Sequence, residues 1–283
     1  MEARGHAMGR VSRLSQVFLF FFGLVFPVLS AFSAEIDPQY RERVAALTHR
    51  LKESGLNSEE LERIFSDDRV KLYPQILGRK AKGLDYMSRR FGLLTRKSIE
   101  RGQKVLADNR ALFSKIEQTY GVDKEIVIAI LRIETNFSSC VGSYPIFNSL
   151  LTLAVIENRR SAWAENELAE LLRISQKFSK DPLSIRGSWA GAFGIAQFVP
   201  SSYVRFAVDG NADGMVDLFD FSDATASIAN YLKAHGWEND RPEKNRQAVY
   251  AYNRCDNYVA AVFAYARAIS GEEPSTRRQA ISR

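Results

Sequence analysis

Apolar residues recur at helical spacing along most of the chain, and strand-like alternation is scarce. Tyr40 to Ser54 sets Val44, Leu47 and Leu51 on one face and stops at Gly55, and Asn57 or Ser58 then caps a second helix carrying Leu61 and Ile64. The pattern predicts a short irregular stretch over Leu72 to Gly78 and a helix over Asp85 to Arg90. Another helix is predicted over Thr95 to Thr119, with Val105, Leu106, Leu112 and Ile116 turned inward. Asp123 is a good N-cap for the most apolar segment. There Ile126, Val127, Ile128, Ala129, Ile130, Leu131 and Ile133 leave almost no polar face, so this helix must be buried. Helical patterns return over Ser201 to Val208 and Asp223 to His235, and in a last helix running to about Ile269. No solenoid repeat, low-complexity tract or flexible linker interrupts them. The expected fold is mainly α, with a helical region over residues 35–110 packed on a main domain over 111–271 and a polar tail over 272–283.

The first 34 residues differ in kind. Arg4, Arg10 and Arg13 precede an apolar run from Val17 to Phe26, continued through Pro27 to Phe32, and the small residues Ser30, Ala31, Ser33 and Ala34 follow. This order reads as a secretory signal peptide over 1–34, implying a protein exported to the periplasm. An uncleaved anchor is the alternative, because Val17 to Ala34 nearly reaches the roughly 18 to 20 residues needed to span a bilayer. Pro27 and the small residues favour cleavage, and the absence of Cys from the zone argues against a lipid anchor. Of the 283 residues, 46% are hydrophobic and 25% charged, with 17 Gly and 8 Pro, which excludes a disordered, collagenous or disulfide-dense chain. A net charge of +6 favours an anionic partner such as an acidic wall polymer or a lipid surface. No run of like charges marks a nucleic-acid footprint. Cys140 and Cys255 form an even pair in the exported part, which reads as a disulfide in an oxidising compartment. His6, His49 and His235 are not spaced with either one for a zinc site.

Candidate chemistry sits in four segments. Glu134 lies at the C-terminal end of the apolar helix. Apolar neighbours and the negative end of the helix dipole both raise a carboxyl pKa there, as a general acid requires. A salt bridge to Arg132 or to a distant Lys is the competing reading. Gly187 to Tyr203 is rich in Gly and Ala around Ser188 and Gln197, which suits either close helix packing or a bulky polar ligand between aromatic walls. Asp209, Asn211, Asp213, Met215 through its carbonyl, and Asp220 fall at ligand positions of an EF-hand-type calcium loop, with Gly214 at its turn. The alternative there is an Asp/Asn-rich surface turn. Ala248 to Val262 mixes aromatic and amide side chains that, taken alone, read as packing and capping groups.

Taken together, the segments resemble the membrane-bound lytic transglycosylase B family, peptidoglycan-cleaving enzymes with a lysozyme-like α-lobe. The resemblance rests on Ile130-Leu131-Arg132-Ile133-Glu134-Thr135, on Gly187-Ser188-Trp189-Ala190-Gly191-Ala192-Phe193-Gly194 with Gln197-Phe198, and on Pro200-Ser201-Ser202-Tyr203. It continues through Ala207-Val208-Asp209, Ala229 to Trp237 and Tyr252-Asn253-Arg254, in order over about Arg110 to Ile269. It implies Glu134 as the single catalytic acid/base, and Ser188, Gln197, Tyr231, Asn253, Tyr258 and Tyr120 as residues lining a glycan cleft. It also implies structural Ca2+ at Asp209, Asn211, Asp213, Met215 and Asp220, with no organic cofactor. Two departures stand out. Asn136-Phe137-Ser138 replaces a common Arg-Trp-Gly, and the fourteen residues between Trp237 and Tyr252 are too few for the small β domain that several relatives insert.

The implied reaction cuts the β-1,4 bond between N-acetylmuramic acid and N-acetylglucosamine and closes a 1,6-anhydro ring. A two-carboxylate hydrolase would need a second acid about 5 to 9.5 Å away, for which Asp256 is the nearest candidate. A muramidase that hydrolyses the same bond, and an inactive calcium-stabilised peptidoglycan-binding protein, are the competing functions. The expected partners are peptidoglycan glycan strands and cell-wall enzyme complexes, with no nucleic acid, for a protein acting as a monomer.

Overall fold

A computed structural model describes residues 32–33, 35–79 and 84–271. The expected signal segment and C-terminal tail lie outside the described residues, apart from Phe32 and Ser33. Eleven α-helices and one two-stranded sheet are present among the described residues, and none of those helices is long and apolar enough to cross a membrane.

Helix α1 (Pro38–Glu53) buries Val44, Leu47 and Leu51, as its spacing predicts, and begins under an Asp37 cap that accepts from the Gln39 N–H at 3.0 Å. Asn57, rather than Ser58, caps α2 (Ser58–Phe65) by accepting from the Glu60 N–H at 2.9 Å. The expected irregular stretch contains one 3₁₀ turn, Pro74–Ile76. Asp85 to Arg90 is not a helix. Asp85 Oδ1 accepts from the Met87 N–H and Ser88 Oγ from the Phe91 N–H, and such local side-chain bonds fold the segment into successive turns. The single helix expected over Thr95 to Thr119 is two, α3 (Arg96–Asp108) and α4 (Arg110–Tyr120). It breaks at Asn109, whose φ of −117° and ψ of 30° leave the helical region while its Nδ2 donates to the Val105 carbonyl. Val105, Leu106 and Leu112 are half-buried, and Phe113 and Ile116 are buried.

Helix α5 (Lys124–Thr135) is the central element. Every residue from Ile126 to Leu131 is buried, and α11 (Asp256–Ser270), α3 and α9 (Phe221–Ala234) pack around it. Asp123 precedes it without a side-chain cap; instead Glu117 of α4 accepts from the Lys124 N–H at 3.2 Å and from its Nζ at 3.0 Å. Helix α6 (Ile146–Val155), buried almost throughout, packs on α7 (Ser161–Phe178). Strands β1 (Tyr144–Pro145) and β2 (Arg186–Gly187) pair antiparallel, Tyr144 opposite Gly187. Helix α8 (Pro200–Phe206) and α9 bracket the acidic loop within two residues of the expected bounds. Residues between Trp237 and Tyr252 contribute most of α10 (Pro242–Tyr252). The main apolar core runs from Ile36 to Ile269 and takes in residues of the N-terminal helices, while Ile76, Leu153 and Ala164 form a small second cluster.

Candidate active site

Glu134 is the penultimate residue of α5, and the helix closes immediately after it in a left-handed Asn136 (φ 50°). The residue is half-buried among apolar neighbours, and burial of its carboxyl pushes its pKa up to about 7. Tyr258 Oη donates to Glu134 Oε1 at 2.7 Å, which favours the ionised form and limits the rise. The salt-bridge alternative is not realised. Arg132 turns away to Ser98 Oγ at 2.8 Å and to the Phe91 carbonyl at 3.3 Å, with its guanidinium over the Phe91 ring. Asp256 is exposed in a separate groove of about 310 Å³ beside Glu243, Arg246 and Tyr250, so it does not supply a second carboxylate at Glu134.

Three tyrosines back the acid. Tyr258 is fully buried, so its hydroxyl addresses Glu134 rather than an open cleft. Tyr252 lies parallel to it, 6.4 Å between centroids, and donates to the Ala196 carbonyl at 2.5 Å. Tyr86 meets Tyr258 edge-on at 5.5 Å and takes an Asn253 Nδ2 contact at 3.5 Å. Burial, and secondarily the negative charge of Glu134, hold the Tyr252 and Tyr258 phenols well above their ordinary range and push Tyr86 up to about 12. Near neutral pH all three remain protonated donors, and none competes with Glu134 for a proton.

The Gly-rich wall folds around its polar residues. Ser188 Oγ accepts from the Ala190 and Ala192 N–H groups, closing the turn. Gln197, itself left-handed at φ 50°, donates through Nε2 to the Val141 carbonyl at 3.0 Å and the Gly194 carbonyl at 2.8 Å. Glycine is required where the loop after α5 crosses this wall: a Cβ on Gly142 (φ 98°) would lie 2.1 Å from the Gly187 carbonyl oxygen. Tyr231 is buried, spends its hydroxyl on the Ala251 carbonyl at 2.8 Å, and supports Tyr252 and Phe198 with its ring. Tyr120 ends α4, half-buried, and joins none of these contacts.

The expected Cys140–Cys255 disulfide is not formed, and both are free thiols. Cys140 is exposed in the loop closing α5, its N–H bound to the Thr135 carbonyl. Cys255 is half-buried against the core ahead of α11, its N–H bound to the Asn253 carbonyl. The two side chains thus belong to different environments.

In the acidic loop, Asp209 accepts from the N–H groups of Ala212, Asp213 and Gly214. Asp213 accepts from the Met215 N–H and from Asn211 Nδ2, and Asp220 caps α9 through the Ser222 and Asp223 N–H groups. Asp220 is thus turned toward α9, and no three acidic, His or Cys side chains converge among the described residues. The hard oxygens of Asp209, Asn211, Asp213 and the Met215 carbonyl are nevertheless the donor chemistry calcium takes.

Sequence reasoning missed Tyr86, Tyr252, Thr135 and two buried carboxylates. Asp223 binds the N–H groups of Gly210, Asn211 and Asp217 and frames the acidic loop. Glu167 of α7 accepts from the Ser201 N–H at 2.8 Å and hydroxyl at 2.7 Å, fixing the end of the Gly-rich wall. Tyr252 had a signal, its position beside Asn253, whereas Tyr86 had none.

A family model described as the transglycosylase SLT domain matches residues 39–245. Over 120 residues, 42% of the chain, the protein is 43% identical to the membrane-bound lytic murein transglycosylase B of Escherichia coli strain K12; the match spans a third of that relative's length. The structure superposes on the catenated lytic transglycosylase SltB1 of Pseudomonas aeruginosa with a TM-score of 0.72 at 27% identity, covering 83% of this chain and 98% of that one. It also superposes on the Escherichia coli lytic transglycosylase Slt35 in complex with calcium, with a TM-score of 0.73 at 24% identity, covering 83% and 93%.

Proposed function

We propose, from the premise that the chain belongs to the transglycosylase SLT domain family, that it is a lytic transglycosylase of peptidoglycan. The carrying observation is a single carboxyl with a pKa near 7, held by one tyrosine and by no second acid. Protonated Glu134 gives its proton to the oxygen leaving C1 of N-acetylmuramic acid, and the substrate's own acetamido group shields the cation that forms. The Glu134 carboxylate, stabilised by the Tyr258 hydroxyl, then takes the proton from the C6 hydroxyl, whose oxygen bonds C1 and closes the anhydro ring. One residue acts as acid and then as base, so the cycle restores itself without water as nucleophile. Ser188, Gln197 and Asn253 are the glycan contacts in this reading, and Tyr231 and Tyr252 support the cleft behind them.

Mass analysis of fragments released from purified peptidoglycan tests the reaction. Anhydromuramic ends, lighter by one water than reducing ends, are expected; reducing ends as the main product support a muramidase instead.

The loop from Asp209 to Asp220 is read as a structural calcium site, because its oxygen donors suit that ion and it abuts the cleft wall without supplying a reacting group. The Arg-flanked apolar run supports export to the periplasm. N-terminal sequencing of the protein from fractionated cells is expected to find a mature start between Phe32 and Glu35, and an intact Met1 in the membrane fraction would favour an anchor.

A further inference from the structure

Glu134 has one side-chain tether, so its aim depends on the backbone that follows. That backbone is unusual. Asn136, Phe137 and Ser138 adopt φ values of 50°, 57° and 67°, three successive residues in a region that L side chains rarely enter. Arg101 steadies the turn from outside, stacking over Phe137 and donating to Ser139 Oγ at 2.8 Å. From inside, Thr135 holds it. Thr135 is 1% exposed, and its hydroxyl oxygen accepts from the Ser138 N–H at 3.1 Å while its proton goes to the Ile195 carbonyl at 3.2 Å. Ile195 in turn donates its N–H to the Leu218 carbonyl at 2.7 Å, in the acidic loop. Two hydrogen bonds therefore join that loop to the residue beside the acid.

We propose that Thr135 is a positioning residue, its hydroxyl locking the end of α5 to the cleft wall so that the Glu134 carboxyl keeps its direction. Valine there would keep the shape and leave the Ser138 N–H and the Ile195 carbonyl without their partner. The proposal rests on Glu134 being the acid/base, and it adds that the acid's aim is set through a neighbour that never meets substrate.

The test compares Thr135→Val and Thr135→Ser in the full chain, measuring kcat, KM and the pH profile on peptidoglycan alongside thermal melting. Thr135→Val is expected to lose about 10²-fold in kcat, as small misplacements of reacting groups do. Its KM should stay nearly constant, and the midpoint of the fall in activity above neutral pH should move. Thr135→Ser should retain most of the parent's kcat. A parental kcat and pH midpoint in folded Thr135→Val, or an equal loss in both variants, overturns the proposal. If Thr135→Val does not fold, Thr135→Ala makes the same comparison, and failure of both to fold beside a normal Ser variant overturns it as well, since the hydroxyl is then purely structural. An active Glu134→Gln enzyme would instead remove the functional reading beneath it, a result these outcomes cannot imitate.

Discussion

Glu134→Gln is expected to lower turnover of peptidoglycan by at least 10²- to 10⁴-fold while the protein stays folded, because Gln keeps the shape and cannot transfer a proton. The same variant carries a stability signature with a definite sign. Folding raises the Glu134 pKa from an ordinary 4.5 to about 7, so between those values the folded chain holds a proton that the unfolded chain has released. Stability from this group is complete below about pH 4.5 and is lost as pH rises through 7. At pH 8 the ionised carboxyl costs about 3 kcal/mol relative to a neutral group. Glu134→Gln should therefore melt higher than the parent at pH 8 and close to it at pH 4. Equal melting of the two proteins at both pH values would show that burial does not raise the acid. Parental activity falling as pH climbs past 7 is the kinetic counterpart, since the first step needs the proton in place.

The burial of Glu134's helix was legible in sequence, because the chain is apolar on every face from Ile126 to Leu131; a salt bridge stayed open as the role of the carboxyl at its end, and only the family resemblance pointed to an acid/base. The acidic loop was legible for a similar reason, since its spacing is local. What surrounds Glu134 was harder to read. Tyr86 belongs to a segment of short turns far upstream, and only the tertiary fold lays it against Tyr258. Asp85 to Arg90 and Asn109 show why periodicity alone overextends helices: short polar side chains bind nearby backbone and bend the chain where apolar spacing still looks continuous. Asp223 and Glu167 read as ordinary polar positions of amphipathic helices. Their partners lie in other segments and are mostly backbone N–H groups, which no pattern of side chains displays. The cysteine pair was inferred from compartment and count, and the structure leaves both thiols free.

Calcium is expected to raise the melting temperature by roughly 5 to 10 °C at a concentration 100-fold above its dissociation constant. Such saturation corresponds to about 2.7 kcal/mol for a ligand that binds only the folded state, and a domain of this size gains roughly 2 to 4 °C per kcal/mol. The loop's hydrogen bonds separate this effect from simple loop damage. Asp223 is 1% exposed and holds the N–H groups of Gly210, Asn211 and Asp217, so it frames the loop whether or not a cation is bound. Lys180 adds an ion pair to Asp217 at 3.0 Å from outside. Asp209 and Asp213 are the exposed loop's own oxygen donors, so the Asp209→Ala and Asp213→Ala double variant should melt somewhat lower in chelator and gain nothing from added calcium. Asp223→Ala should melt lower under both conditions, because three N–H groups lose their acceptor. A double variant that shows the parent's calcium-dependent shift would place the ion elsewhere. It would also leave the Asp209 to Asp220 segment as a turn held by its own hydrogen bonds, in contact with the cleft through Leu218 and Ile195 but without a metal to report.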